Sequence, residues 1–402
     1  MIAIVDLSVK KNSHDIFNAG TVVQMQKAYP NEDIIFFADK SHLDCVRQLI
    51  ETYYKNEIAV KYVAIEYDVI SYELIFNRII EKYGKPCFWV ITSFKESRLK
   101  ELEVMYTNNQ EIIGYICLHG VIDLLIDDCF YNNRFPRWKL YSWHLRWAVK
   151  KYLNQLRIWH MNSKNQKNLA IEFRQEIINL ANLSNVQFIV FSEVYRQYSN
   201  CISEKVCNKM IKIWLPYIFN PIKNCEHNGA DLNIGVVPSI AADPFEYAFR
   251  IIEKVNKTNK DGKIKFVFFR YNYPACFSNC TKWPNDDFSR DNLNRFICNC
   301  DYVLQSVPEE KYKLSSSGFA MDVLSQETPL LMFSSHCFDD FMDYKVGYRA
   351  YTVEEMVNLI ILLSKKDDKG GRTQLSQNIR AFKKQMELDN IKIFRSLIKG
   401  IK

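Results

Sequence analysis

The sequence predicts two α/β domains in tandem, each a parallel sheet covered by helices on both faces, with a cleft between them. Three observations predict it. Short continuous apolar runs trade places with helical patterns along the chain, as repeated βαβ units require. The series halts at a polar, Pro- and Gly-containing stretch, Asn220 to Ala230, and then starts again. The length, 402 residues, suits two domains at about 100–200 residues each.

The elements justify this in order. An apolar strand over 2–7 opens the chain, followed by a polar loop over 8–15 and a helical pattern from about 16 to 28 that stops at Tyr29-Pro30. The run 33–38, Asp-Ile-Ile-Phe-Phe-Ala, is apolar without alternation, as a strand buried on both faces must be. Helices over 43–53, 71–82 and 97–105 then alternate with strands over 60–65, 87–91 and 112–118, and further strands are expected over 186–191 and 212–219. After the linker the pattern gives strands over 232–237, 263–269, 302–306 and 329–333, separated by helices over 244–256, 290–300 and 318–326. A last helix over 353–364 begins with a capping box, Thr352 and Glu355, in which each residue satisfies a backbone amide of the other. The predicted boundaries are 1–222 for the N-terminal domain, 223–371 for the C-terminal domain and 372–402 for a basic helix packing back on the first domain.

Composition narrows the function classes. With 48% apolar and 25% charged residues the chain is globular, and with 12 Gly it cannot rely on several glycine-rich loops. The longest apolar stretches fall short of the roughly 20 residues that span a bilayer. The start, Met1-Ile-Ala-Ile-Val-Asp6, has no basic segment or cleavage site of a secretory signal, so a cytoplasmic protein with reduced thiols at its 12 Cys is expected. Cys276-x3-Cys280 and Cys298-x-Cys300 lack the paired spacing of zinc ribbons, and no metal is expected. A phosphate-binding Gly-x4-Gly-Lys-Ser/Thr loop and a Gly-x-Ser-x-Gly elbow are both absent from the sequence. Asp127-Asp128 is read as a cap or turn rather than a metal motif.

The net charge of +7 is concentrated. Between Cys129 and Ile171 stand nine Lys/Arg, no Asp or Glu, and four of the seven Trp. Leu140, Trp143 and Trp147 would share one helix face. A basic helix carrying Trp has the composition of one lying on an anionic membrane, with Arg137, Trp138, Trp143, Arg146, Trp147, Lys150 and Lys151 as the contact residues. The other readings are a core-facing helix with a solvated basic face, and a nucleic-acid groove; no nucleic-acid module surrounds the segment, and nucleic acid is not an expected partner.

The chemistry concentrates between Asp301 and Pro329, a strand, a polar loop and a helix entered through Ser315-Ser316-Ser317-Gly318. Unpaired amides at a helix N-terminus, with small hydroxyl side chains and a Gly for close approach, form a diphosphate site that needs no metal. Asp322 lies one turn further on, where a carboxylate can accept from ribose hydroxyls. The plainer reading is a Ser N-cap and a helix-surface Asp.

The order of strand, Ser-Ser-Gly, three residues, an acid and then Pro329 before an apolar strand resembles the nucleotide-sugar site of GT-B glycosyltransferases. Gly347 to Met356 resembles that superfamily's ending, and the N-terminal half agrees in its βαβ series and in a strand ending at His119-Gly120. The resemblance implies two Rossmann-like domains and a transfer of sugar from a nucleotide-sugar donor to a hydroxyl acceptor, metal-independent and without a cofactor. It implies that Ser315, Ser316, Ser317 and Gly318 cradle the donor diphosphate, that Asp322 binds the ribose, and that Arg270 stands beside the leaving phosphates. It further implies a base in the first strand-to-helix loop, His14 oriented by Asp15, with His119 as rival base or sugar contact. Where retaining members carry a first acid this chain has Leu314, and where many carry tandem glycines it has Asn18-Ala-Gly20, which leaves the stereochemistry open. With the basic segment, the expected acceptor is a glycan or lipid-linked precursor at the inner face of the plasma membrane. The alternatives are a nucleotide-sugar epimerase of the same fold and a noncatalytic relative that binds nucleotide or membrane.

Overall fold

The computed structural model describes residues 1–126, 169–220, 231–237, 246–259, 262–269, 277–307, 314–365 and 369–399, apart from residues 56, 69, 120, 286, 288 and 315. The N-terminal half runs β1 (Ile2–Asp6), α1 (Asp15–Ala28), β2 (Ile34–Ala38), α2 (Lys40–Tyr54), β3 (Val60–Ala64), α3 (Tyr72–Tyr83), β4 (Phe88–Ser93), α4 (Leu99–Asn108), β5 (Ile113–Cys117), α5 (169–182), β6 (Val186–Val190), α6 (Glu204–Cys207) and β7 (Met210–Lys212). The C-terminal half runs β8 (Leu232–Val236), α7 (Glu246–Thr258), β9 (Ile264–Phe268), β10 (Cys280–Lys282), α8 (Arg290–Cys298), β11 (Tyr302–Val307), α9 (Gly318–Ser325), β12 (Leu330–Ser334), α10 (Asp339–Met342), β13 (Gly347–Ala350), α11 (Val353–Lys365) and α12 (Lys369–Lys399).

These strands build two wholly parallel sheets, in the orders β3-β2-β1-β4-β5-β6-β7 and β10-β9-β8-β11-β12-β13. Both follow the doubly-wound order 3-2-1-4-5-6, with the order in which strands are added reversing between β1 and β4 and between β8 and β11. Ligands bind at such reversals, outside the carboxyl ends of the strands. The uninterrupted apolar runs Ile2–Asp6 and Ile34–Ala38 are buried at every position, because helices cover both faces of a parallel sheet. The chain therefore folds as two Rossmann-like domains.

The apolar core does not stop at the domain boundary. One cluster runs from Phe17, Val22 and Met25 of α1, through Trp214, Tyr217 and Ile218, to Phe296 of α8, Met321 of α9, and Phe382 and Phe394 of α12. Helix α12 lies on the N-terminal domain, where Tyr115 Oη donates to Leu397 O (3.0 Å) and Asn390 Nδ2 donates to Gln24 Oε1 (2.8 Å). The strand expected over 212–219 is corrected: β7 ends at Lys212, and the next residues carry no regular structure. Their apolar side chains are buried by α1 and α12 rather than by a neighbouring strand. The capping box of α11 is present, with Glu355 N donating to Thr352 Oγ1 (3.1 Å) and Thr352 N to Glu355 Oε2 (3.3 Å). Eight described cysteines are free thiols, whereas Cys298 is disulfide-bonded, which corrects the expectation that every cysteine is reduced. Among the described residues no helix is long and apolar enough to cross a membrane.

Candidate functional site

The helix expected to hold phosphate enters the C-terminal sheet's reversal point, following β11. Ser317 is its N-cap: Oγ accepts from Ala320 N (3.2 Å) and from Gln305 Nε2 (3.0 Å). That hydroxyl is thus spent on capping Ala320 N and holding the turn, and the Gly318 and Phe319 amides, which have no intrahelical acceptor, are the ones placed to meet an anion. Gly318 is exposed, and a Cβ built there would meet nothing within 4 Å among the described residues. Ser316 is buried beneath the turn. Among the described residues nothing covers the mouth of the helix.

Asp322 stands one turn along α9, a rise of about 6 Å from Gly318. Its Oδ1 accepts from Arg290 Nη1 (3.0 Å) and from the Tyr217 hydroxyl. Burial raises its pKa above the usual carboxylate value, and Arg290 and Tyr217 oppose that rise. Arg290 is the first residue of α8, set there by the Ser289 cap whose Oγ accepts from Asn292 N (3.2 Å). Its second nitrogen, Nη2, donates to Asp15 Oδ1 (3.0 Å) at the start of α1. One guanidinium therefore joins two carboxylates from opposite domains. The Asp15, Asp322 and Arg290 side chains are 9%, 18% and 28% exposed, respectively.

The N-terminal side of the site is built on Asp6, fully buried at the end of β1 and so at that sheet's reversal point. Its carboxylate accepts from the amides of Ser8 (3.1 Å) and Val9 (2.9 Å), from Ser93 Oγ (2.6 Å) and from Asn18 Nδ2 (2.7 Å). The Asn18 amide also meets His42 Nε2 at 2.7 Å, and His42 Nδ1 meets Lys11 O at 2.7 Å. A carbonyl only accepts, so His42 carries its proton on Nδ1 and accepts from Asn18 on Nε2. This buried chain fixes the loop that ends at His14.

His14 itself occupies the left-handed region (φ 56°), which costs a non-glycine residue about 1 kcal/mol or more and directs the chain into α1. Its ring packs edge-on to His119, with centroids 5.0 Å apart, and this contact helps shield it from solvent. His119 follows β5, stacks on Phe17 (5.3 Å) and meets Phe191 edge-on (5.4 Å). The Nδ1 of His119 is buried and has no hydrogen-bond partner among the described residues. Desolvation lowers both histidines below the ordinary 6.5, His119 to about 3 with His14 contributing. At His14 the attraction of Asp6 and Asp15 opposes the desolvation, and His42 adds to it. Both rings are neutral at pH 7.

The structure thus brings His14, Asp15, His119 and Asp322 together across the domain boundary, with the open end of α9 one turn away. It places the Asp15 carboxylate on Arg290. Arg270 and Ser315 lie outside the described residues, as do Arg137, Trp138, Trp143, Arg146, Trp147, Lys150 and Lys151. Leu314, at the position where a retaining enzyme would carry an acid, is buried in the N-terminal domain's core, and its amide donates to Asp123 Oδ1 (2.6 Å). Sequence reading missed Arg290, Tyr217, Asp6 and Asn18. Only Ser289, a cap set just before Arg290, signalled that a cation begins α8.

No protein-family profile matches the sequence, and no curated protein matches it. Solved structures do match. HepE of Anabaena in complex with UDP-glucose superposes with a TM-score of 0.56 at 9% identity, covering 99% of this chain and 98% of that one. A glycosyltransferase from Rickettsia africae ESF-5 superposes with a TM-score of 0.54 at 12% identity, again covering 99% and 98%. HepE in complex with UDP gives 0.54 at 10% identity over the same shares. These likenesses show that the described residues share the fold of these structures, two Rossmann-like domains in tandem.

Proposed function

We propose that this chain is a glycosyltransferase that moves a sugar from a nucleotide-sugar donor to a hydroxyl acceptor in the interdomain cleft. The observation that carries the reading is the convergence of two sheet reversal points: the open N-terminus of α9 on one side, His14 and His119 on the other, and Arg290 between them. The binding of UDP and UDP-glucose by HepE, which shares the fold, supports a nucleotide-sugar donor.

In this reading the α9 amides and the Ser315–Gly318 turn hold the diphosphate, helped by Arg270, while Asp322 accepts from the ribose. The acceptor oxygen attacks the anomeric carbon as the bond from that carbon to the diphosphate oxygen breaks. The acceptor proton passes to the neutral His14 imidazole, and the helix dipole stabilises the charge growing on the departing phosphate. His119, neutral and with an Nδ1 that has no partner among the described residues, contacts the sugar or serves as the alternative base. No metal and no cofactor takes part. The basic, Trp-rich segment presents the cytoplasmic inner face of the membrane with a surface for a lipid-linked or glycan acceptor.

Donor turnover tests this. Incubation with nucleotide sugars and candidate lipid or glycan acceptors should release the nucleoside diphosphate together with a glycosylated acceptor. Release of an epimerised sugar without transfer would favour the epimerase instead. Binding of nucleotide without any turnover would favour a noncatalytic protein.

A further inference from the structure

The bridge from Asp322 through Arg290 to Asp15 has a consequence for how the two half-sites work together. Asp322 cannot serve a ribose with the oxygen that Arg290 and Tyr217 already occupy. Asp15 is likewise engaged by Arg290, although it adjoins His14 in the chain. Building on the donor site described above, we propose that Arg290 is a positioning residue that couples the two sites: a bound nucleoside diphosphate takes Asp322 for its ribose and draws the guanidinium to its phosphates, releasing Asp15.

The geometry allows this exchange. The guanidinium already lies against a residue one turn from the open mouth of α9, and a phosphate offers it the same bidentate geometry as a carboxylate. The Arg290 side chain is 28% exposed, so solvent reaches it without the core opening. No covalent bond is made or broken. Asp15 begins α1 and Arg290 begins α8, so the movement passes between domains through one side chain.

The released carboxylate acts on His14. The charged and titratable groups around that ring are Asp6 from β1, Asp15 from α1, His42 from α2 and His119 after β5. Of these, Asp6 and His42 are held in the buried chain through Asn18, and His119 is neutral, so Asp15 is the group free to change. An unneutralised carboxylate beside an imidazole favours its charged form. The acceptor's base would therefore gain strength only when a donor is present, which suppresses proton transfer in its absence.

The test is an NMR titration of the His14 ring in the full-length protein, alone and saturated with each of UDP, GDP, ADP and TDP, with calorimetry reporting binding separately. The His14 pKa is expected to rise by about one pH unit with the nucleotide that binds. In Arg290→Gln the rise is expected already without nucleotide, with no further change on adding it, and Arg290→Lys should fall between the two. Nucleotide binding with an unmoved His14 in the wild-type chain overturns the coupling and leaves the donor site intact. Failure of all four nucleotides to bind overturns the donor site and the coupling with it. The wild-type measurement decides the matter even if Arg290→Gln does not fold.

Discussion

Two carboxylates drawn from opposite domains are held apart by one cation, and this fixes what single substitutions do. Arg290→Met leaves Asp15 and Asp322 without their shared partner, and is expected to cost about 1–3 kcal/mol of stability, readable by chemical denaturation. Asp322→Asn keeps the shape and removes a charge whose burial already raises its pKa. Its cost should be clearly smaller than that of Arg290→Met, and an equal cost would show that the pair is not the main electrostatic feature of the site. His119 gives a pH signature. Its native pKa is lowered, so the folded state binds fewer protons than the unfolded state between about pH 3 and 6.5. Stability must then be present above 6.5 and fall as pH drops through that window, by about 1–2 kcal/mol at pH 5. His119→Phe keeps the stacking on Phe17 and should lose less stability between pH 7.5 and pH 5 than the parent chain; an identical loss would place the effect elsewhere.

At the scale of elements, close approach explains a glycine that composition alone did not. A Cβ on Gly20 would lie 2.6 Å from Tyr217 N and 2.7 Å from Pro216 C, so α1 packs on the irregular segment after β7 only because residue 20 has no side chain. That segment carries the Tyr217 hydroxyl to Asp322. Gly20→Ala is expected to destabilise the protein by about 1–3 kcal/mol, as overpacking does, and to weaken nucleotide binding through Tyr217. The elements themselves were largely legible: long apolar runs such as 2–7 and 33–38 became buried parallel strands because both faces needed cover. The three-residue β10 (Cys-Thr-Lys) and the four-residue β13 (Gly-Tyr-Arg-Ala) escaped, since neither has an apolar run. The segment after Lys212 misled for the opposite reason, being apolar because helices bury it.

The whole molecule was legible as a repeated pattern, and its active face was only half legible. Local chemistry pointed to Ser317, Gly318 and Asp322 as a candidate site, because caps and helix starts are written in adjacent residues, and the family resemblance pointed to His14. Arg290 and Asp15 are 275 residues apart, and Asp322 and Tyr217 are 105 apart, so no window of sequence contains either pair. The membrane proposal also belongs to this scale. The intact protein should co-sediment with anionic vesicles at low salt and release as salt rises, since the attraction of Lys and Arg to lipid is screened. Absence of sedimentation at low salt would remove the lipid-surface part of the function.

The central claim is that the first turn of α9 grips a diphosphate, and Gly318 offers the most direct test. Among the described residues nothing lies within 4 Å of a Cβ at that position, and a carboxylate in the first turn suits the helix dipole, so Gly318→Asp should fold as stably as the parent. The same carboxylate would repel an incoming phosphate. Calorimetry with the binding nucleoside diphosphate should therefore show at least a roughly tenfold loss of affinity with an unchanged thermal midpoint, a difference of about 1.4 kcal/mol. Affinity equal to that of the parent chain would contradict the account.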